Sequence, residues 1–221
     1  LNEVLFENIS FNWFNKGRAI QSENFISLTL SGDNQLIHTS RCYGLFNKSG
    51  GKWKSLEEVP YMYKDYDDYS AGITKNLDDD YSLIRNSIKK RYPDRNFEFM
   101  LDYLSLERLT YQTNNMNILE SITDSSTLGA IKPPLVKTED YWEIDRNNRF
   151  FTDDIHYGLC IAKWIAEKMN LTVPTIDKIL HWAQELRKET IIDKENNLIL
   201  DSPDLKEGFN SGIPAYYGFN T

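Results

Sequence analysis

Between Asp67 and Arg91 the chain reads DDYSAGITKNLDDDYSLIRNSIKKR, and no other segment says as much about the architecture. Tyr69, Ile73, Leu77, Tyr81, Ile84 and Ile88 recur every three or four residues, which gathers them on one face of a helix. Pro93 ends that helix. The cations Lys89, Lys90 and Arg91 read as its solvated end, with Asp78, Asp79 and Asp80 nearby.

Working outward, Phe97 to Thr110 carries a similar stripe through Met100, Leu101, Leu104 and Leu109, and Ile118 to Ile122 reads as a short helix. A further helix follows Thr152-Asp153-Asp154, its apolar face made by Ile155, Leu159, Ala162, Ile165, Ala166 and Met169. Thr152 is expected to cap it, with the two carboxylates at its positive end. Asn170 is the expected stop. Pro174 opens the next helix, on Ile176, Ile179, Leu180, Ala183 and Leu186. Gly50-Gly51, Pro133-Pro134 and residues 143–148 read as turns or loops. Strand-like alternation is confined to Phe25–Leu30 and Asn197–Leu200. The expected fold class is mainly α. Residues 1–21 are read as the tail of a preceding domain or linker, and 22–221 as one helical domain ending in an extended C-terminal arm. A first residue of Leu rather than Met suggests a piece of something longer.

Composition narrows the partners. The 221 residues include 40% apolar and 26% charged side chains, with 13 Tyr, 11 Phe and 5 Trp, enough to build a core without staples. A net charge of −8 repels phosphate backbones, which speaks against nucleic acid. No apolar run reaches the ~20 residues needed to span a bilayer. Cys42 and Cys160 share no metal-binding spacing, so a metal site is not expected and reduced thiols in the cytoplasm are. A homodimer through the helical surface is compatible with this surface but not specified by it.

Chemistry has few places to live. Of His38, His156 and His181, the last lies in an amphipathic helix without polar company and reads as structural. His38 has Asn34 one turn before it, so an amide stands within reach of the ring or of a substrate carbonyl. Arg149 precedes Asp153 and Asp154. Those three have a bland explanation, helix capping with a local ion pair. The functional alternative is that Arg149 grips a substrate carboxylate while Asp154 fixes the tautomer of His38 as a general acid/base. No GxSxG, HExxH or P-loop occurs, and no GxGxxG follows a strand, so a Rossmann site is absent from this chain.

Five segments, in order, resemble the C-terminal helical domain of the octopine/nopaline (opine) dehydrogenases. They are Asn34-Gln35-Leu36-Ile37-His38 with Tyr43-Gly44-Leu45-Phe46, then Tyr63 to Asp68, then Thr127 to Pro133, then Arg149 to Ile155, and lastly Tyr157-Gly158-Leu159 to Asp177. The likeness spans roughly residues 22–187. Thr39 stands where a proline commonly follows the histidine, and His156-Tyr157 where a proline often follows the acidic pair. The resemblance implies a helical substrate domain of the 6-phosphogluconate dehydrogenase C-terminal type, which normally follows a Rossmann domain. It also implies reductive condensation of an amino acid with a 2-oxo acid, with NAD or NADP held mainly by that other domain. His38 would then move protons, Asp154 would partner it, Arg149 would clamp the substrate carboxylate and Asn34 would be an accessory contact. The competing reading is a stand-alone domain that binds an amino-acid-like ligand without redox chemistry.

Overall fold

The computed structural model describes residues 21–124 and 128–219. The stretch 1–20, most of the expected N-terminal tail, and Thr127 of the third segment lie outside the described residues. Helix α1 is Phe25–Thr29 and α2 is Asn34–Ser49, followed by the two-residue strand β1, Lys52–Trp53. Helix α3 is Asp68–Arg91, α4 Tyr103–Tyr111 and α5 Ile118–Thr123. Strands β2, Leu135–Lys137, and β3, Trp142–Ile144, come next, then α6, Arg149–Thr152. A π-helical turn, Asp154–Leu159, leads into α7, Cys160–Lys168, and then come α8, Pro174–Arg187, and α9, Pro203–Lys206.

The 24-residue α3 follows its expected period. Asp67 accepts from the Ser70 N–H at 2.8 Å to cap it, and Ile73, Leu77, Tyr81, Ile84 and Ile88 are buried. Tyr69 departs from the stripe: it is half exposed and its ring stacks on Tyr43, because Ser70 and Ala71 take the inward positions of the first turn. Asp80, from the acidic run, is buried and supplies the cap that α8 lacks locally. Its Oδ2 accepts from the Thr175 and Ile176 N–H groups at 2.7 and 2.9 Å. Asp78 meets Arg85 at 2.5 Å. The Lys89–Arg91 end is exposed as expected.

Helix α2 runs through the middle of the molecule, with every residue from Leu36 to Leu45 buried. It packs on α3, α8 and the π-helical turn. Gly50, at a φ of 65°, takes the left-handed turn that ends it. Thr39 continues the helix, its hydroxyl donating to the Gln35 carbonyl.

Several local expectations are corrected. Phe25–Leu30 is helical rather than a strand, since Asn24 accepts from the Ser27 N–H and closes a first turn. The helix expected from Phe97 begins at Tyr103, because Asp102 caps there by accepting from Ser105 N–H; Leu109 is exposed. Glu143 and Ile144 belong to a strand, not a loop: β3 is the centre of an antiparallel sheet in the order β1-β3-β2, with Trp53 opposite Trp142 and Leu135 opposite Ile144. Thr152 is not a cap. Asn148 fills that role for α6, accepting from the Phe150 N–H, and the Thr152 hydroxyl donates to Asp153. The C-terminal stretch is not an extended arm. It folds back through α9 and the short 3-10 turn Pro214–Tyr217, because Leu205 and Ile213 are fully buried against the body. Of the expected strand 197–200, an isolated Ile192–Leu198 bridge is present.

No helix among the described residues is long and apolar enough to cross a membrane.

Candidate functional site

His38 lies in the fully buried stretch of α2 and is 1% exposed. An unpaired imidazole there would be costly, and both ring nitrogens have partners. Nδ1 is 2.8 Å from Oδ2 of Asp154, and Nε2 is 2.9 Å from the Tyr63 hydroxyl. A carboxylate oxygen can only accept, so Nδ1 carries the proton toward Asp154, and in the neutral ring Nε2 accepts from the Tyr63 O–H. Phe150 stacks on the imidazole, centroids 3.7 Å apart and planes 18° from parallel. Three elements thus fix one ring: the π-helical turn, the α6 aromatic and the loop before α3.

The approach of α2 to the π-helical turn rests on a glycine. A Cβ at Gly158 would stand 2.8 Å from the Gln35 Cβ, closer than real Cβ atoms come. Gly158 is one turn after Asp154, and Gln35 one turn before His38, so this contact and the histidine–carboxylate bond share the same pair of helices. The turn itself is widened: the Cys160 N–H reaches five residues back to the Ile155 carbonyl.

Tyr63 sits on a loop that α2 itself fastens. Arg41, one turn after His38 and 1% exposed, donates through its NH2 to the Tyr61 carbonyl at 2.9 Å and reaches Asp67 at 3.4 Å. Met62 N–H donates to the Ile131 carbonyl at 2.7 Å, and the Tyr66 hydroxyl to the Ile37 carbonyl at 3.2 Å. Burial pushes the Tyr63 phenol up to about 12, the nearby Arg149 charge pulling the other way, so the hydroxyl keeps its proton at neutral pH. Burial, with the Asp154 charge, likewise pushes the Cys42 thiol up to about 12; Cys160 is also a buried free thiol.

The four residues singled out in the sequence fare differently. His38 and Asp154 meet, although 116 positions separate them. Arg149 opens α6, is exposed, and lies over the Phe150 ring at 5.7 Å. The local ion pair that would explain it structurally is not formed among the described residues. Asn34 is exposed in the first turn of α2 and makes no bond to the ring, whose nitrogens are both engaged elsewhere. The ring-orienting amide is therefore replaced by Tyr63. Sequence reasoning missed Tyr63 as a partner; it stood in the aromatic-acidic stretch Tyr63–Asp68, but no spacing connects it to residue 38.

The other histidines have partners of their own. His181 contacts Asn196 at 2.8 Å. His156 faces the Asn210 carbonyl at 3.0 Å and Glu189 at 3.1 Å, clipping the C-terminal stretch to the body. Burial raises the Glu189 carboxyl, but hydrogen bonds from His156 and Arg187 outweigh it and bring it to about 2. These residues line a cleft of about 300 Å³ whose members do not touch His38.

Among the described residues no group of three or more His, Cys, Asp and Glu is placed to hold a metal ion. The named strands are two or three residues long and antiparallel, and none feeds a glycine-rich turn into a helix.

Fold and site together define a mainly helical domain that buries a carboxylate-held histidine beside an exposed arginine. Comparison with known proteins places that domain. The family model for "NAD/NADP octopine/nopaline dehydrogenase, alpha-helical domain" matches residues 21–187. The opine dehydrogenase of Haliotis discus hannai is 25% identical over 206 residues, 91% of this chain and 48% of that protein. The octopine dehydrogenase of Pecten maximus is 24% identical over 190 residues, 84% of this chain and 45% of that protein. A solved octopine dehydrogenase with NADH and L-arginine superposes with a TM-score of 0.76 at 21% identity, over 90% of this chain and 48% of the other, a likeness of fold. The chain belongs to the octopine/nopaline dehydrogenase family, as its alpha-helical domain. It spans about half the length of the curated relatives it matches.

Proposed function

We propose that this domain is the substrate-binding half of an opine-type dehydrogenase that condenses an amino acid with a 2-oxo acid and reduces the product. The observation that carries the reading is the buried bond between His38 Nδ1 and Asp154, 2.8 Å long and formed across two helices. A carboxylate at Nδ1 fixes the tautomer and leaves Nε2 as the working nitrogen, the arrangement a general acid/base requires. Arg149 is the clamp: its exposed fork suits a carboxylate of an oxo acid. Asn34, exposed in the first turn of α2, is an accessory contact for the bound substrate. NAD or NADP, held by a separate nucleotide-binding domain, would supply the hydride; this chain's residues orient the substrates and move the proton.

The test is NAD(P)H oxidation by the complete enzyme with pyruvate or 2-oxoglutarate and a mixture of amino acids. Oxidation should require both substrates and fall by ~10²–10⁴-fold in His38→Gln. Glutamine is preferred to alanine because the buried ring stacks on Phe150 and holds two bonds, so His38→Ala would also empty a cavity. Oxidation that persists in His38→Gln would overturn the assignment.

A further inference from the structure

We propose that Tyr63, rather than His38, is the group that touches the substrate oxygen, with His38 passing its proton through the tyrosine. The inference rests on the function proposed above and adds a catalytic residue to it.

The argument is one of access. Both nitrogens of His38 are occupied, and the ring is covered on one face by Phe150 and is 1% exposed. No substrate atom reaches Nε2 while the Tyr63 hydroxyl sits 2.9 Å from it. Two outcomes remain: the tyrosine swings away, or it stays and works. The loop that carries it is fastened on both sides. Arg41 holds the Tyr61 carbonyl, Met62 is fully buried and bonded to Ile131, and Tyr66 is buried and bonded to Ile37. With the backbone on both sides held, only rotation of the Tyr63 side chain could free Nε2, and that would strip a buried ring nitrogen of its partner. Residue Tyr63 is 9% exposed against 1% for His38, so it keeps a small opening that the histidine lacks. Arg149 lies close enough for its charge to be felt at the phenol. A 2-oxo acid carboxylate on Arg149 would therefore set its carbonyl carbon, one bond away, toward the same hydroxyl.

The step balances without an added reagent. The substrate ammonium first gives up a proton, through the Tyr63 hydroxyl, to Nε2, which makes the ring an imidazolium; the freed amine then adds to the carbonyl to give a neutral carbinolamine. Its C–O bond breaks as the Tyr63 O–H proton passes to the departing hydroxyl, which leaves as water. The nitrogen lone pair forms the C=N bond. The phenolic oxygen takes the Nε2 proton of the imidazolium, and the ring returns to its neutral form with Nδ1–H still on Asp154. One proton has moved from His38 to water.

The experiment is steady-state kinetics of the complete enzyme with Tyr63→Phe, using the oxo acid and amine pair that supports oxidation in the unmodified protein. Tyr63→Phe should lower kcat by ~30–100-fold with KM within about twofold, the size expected for one lost proton-transfer group, read at a temperature where the variant is fully folded because its unfolding midpoint falls as Nε2 loses its partner. A solvent-isotope proton inventory that is curved in the wild type should become linear. Replacing Tyr63 by 3-fluorotyrosine, which keeps the shape and makes the phenol more acidic, should shift the alkaline limb of kcat to lower pH. Tyr63→Phe turning over within threefold of wild type, while His38→Gln is inactive, would overturn the tyrosine step alone. Activity in both variants would overturn the proton role given to His38 as well, and the absence of any pair that supports oxidation would overturn the underlying function. Should Tyr63→Phe fail to fold, a fluorotyrosine protein with an unmoved pH profile overturns the step.

Discussion

Replacing Gly158 by alanine sets two forces of opposite sign against each other. In an isolated helix the change gains up to ~1 kcal/mol, because glycine is a poor helix former. Here the new methyl would stand 2.8 Å from the Gln35 Cβ and 3.2 Å from its Cγ. The Gln35 Cβ moves only with its backbone, so side-chain rotation does not relieve the contact. Reaching the 3.4 Å of an ordinary contact requires α2 and the π-helical turn to part by about 0.6 Å. Overpacking of this kind costs ~1–3 kcal/mol, which offsets the helical gain and leaves a net loss of up to about 2 kcal/mol. The same displacement acts on the bond one turn further along. His38 to Asp154, 2.8 Å now, would open to the limit of a hydrogen bond. Urea denaturation of this chain, followed by tryptophan fluorescence, reads the first effect. The NMR resonance of the His38 Nδ1 proton, which a carboxylate partner shifts far downfield, reads the second. A Gly158→Ala variant as stable as wild type, with an unmoved resonance, would refute the argument that Gly158 sets the helix separation.

Glu107 offers a pH test. Burial, then repulsion from Asp33, raises its carboxyl from the ordinary 4.5 to about 7, against a weak bond from Ser121. A raised folded value means the native state binds the proton more tightly, so stability is full below about 4.5 and is lost as pH rises through about 7. The wild type should therefore lose ~2 kcal/mol between pH 4.5 and 8, from ~1.4 kcal/mol per pH unit discounted for partial solvation. Glu107→Gln should lack that loss; denaturation midpoints at pH 5 and 8 that fall equally in both proteins would remove Glu107 as the source. At the substrate clamp, Arg149→Lys should raise the KM for the oxo acid ~5–20-fold with kcat little changed, a point charge replacing a two-pronged contact. An unaltered KM takes Arg149 out of the site.

What the sequence determined by itself is what repeats within a turn or two. The period of α3, the proline that opens α8 and the stop at Asn170, where φ is 54°, are all local, and all stand in the structure. The family was legible for a related reason: its motifs are short, ordered along the chain and need no folding to be read. The residues named for the chemistry were legible as types, a histidine, a carboxylate and an arginine, but not as an arrangement. Only the docking of α2 against the π-helical turn brings His38 to Asp154, and only the loop held by Arg41 brings Tyr63 to the other nitrogen. The same holds for strands of two or three residues, too short to show alternation and formed because β3 has neighbours on both sides. Asp80 capping a helix that begins 94 positions later is one more case, since its partner amides belong to another element. Local periodicity is encoded in side chains that share a helix face. A site is encoded in how those faces pack, and that depends on contacts such as Gly158 against Gln35, which no stretch of sequence displays.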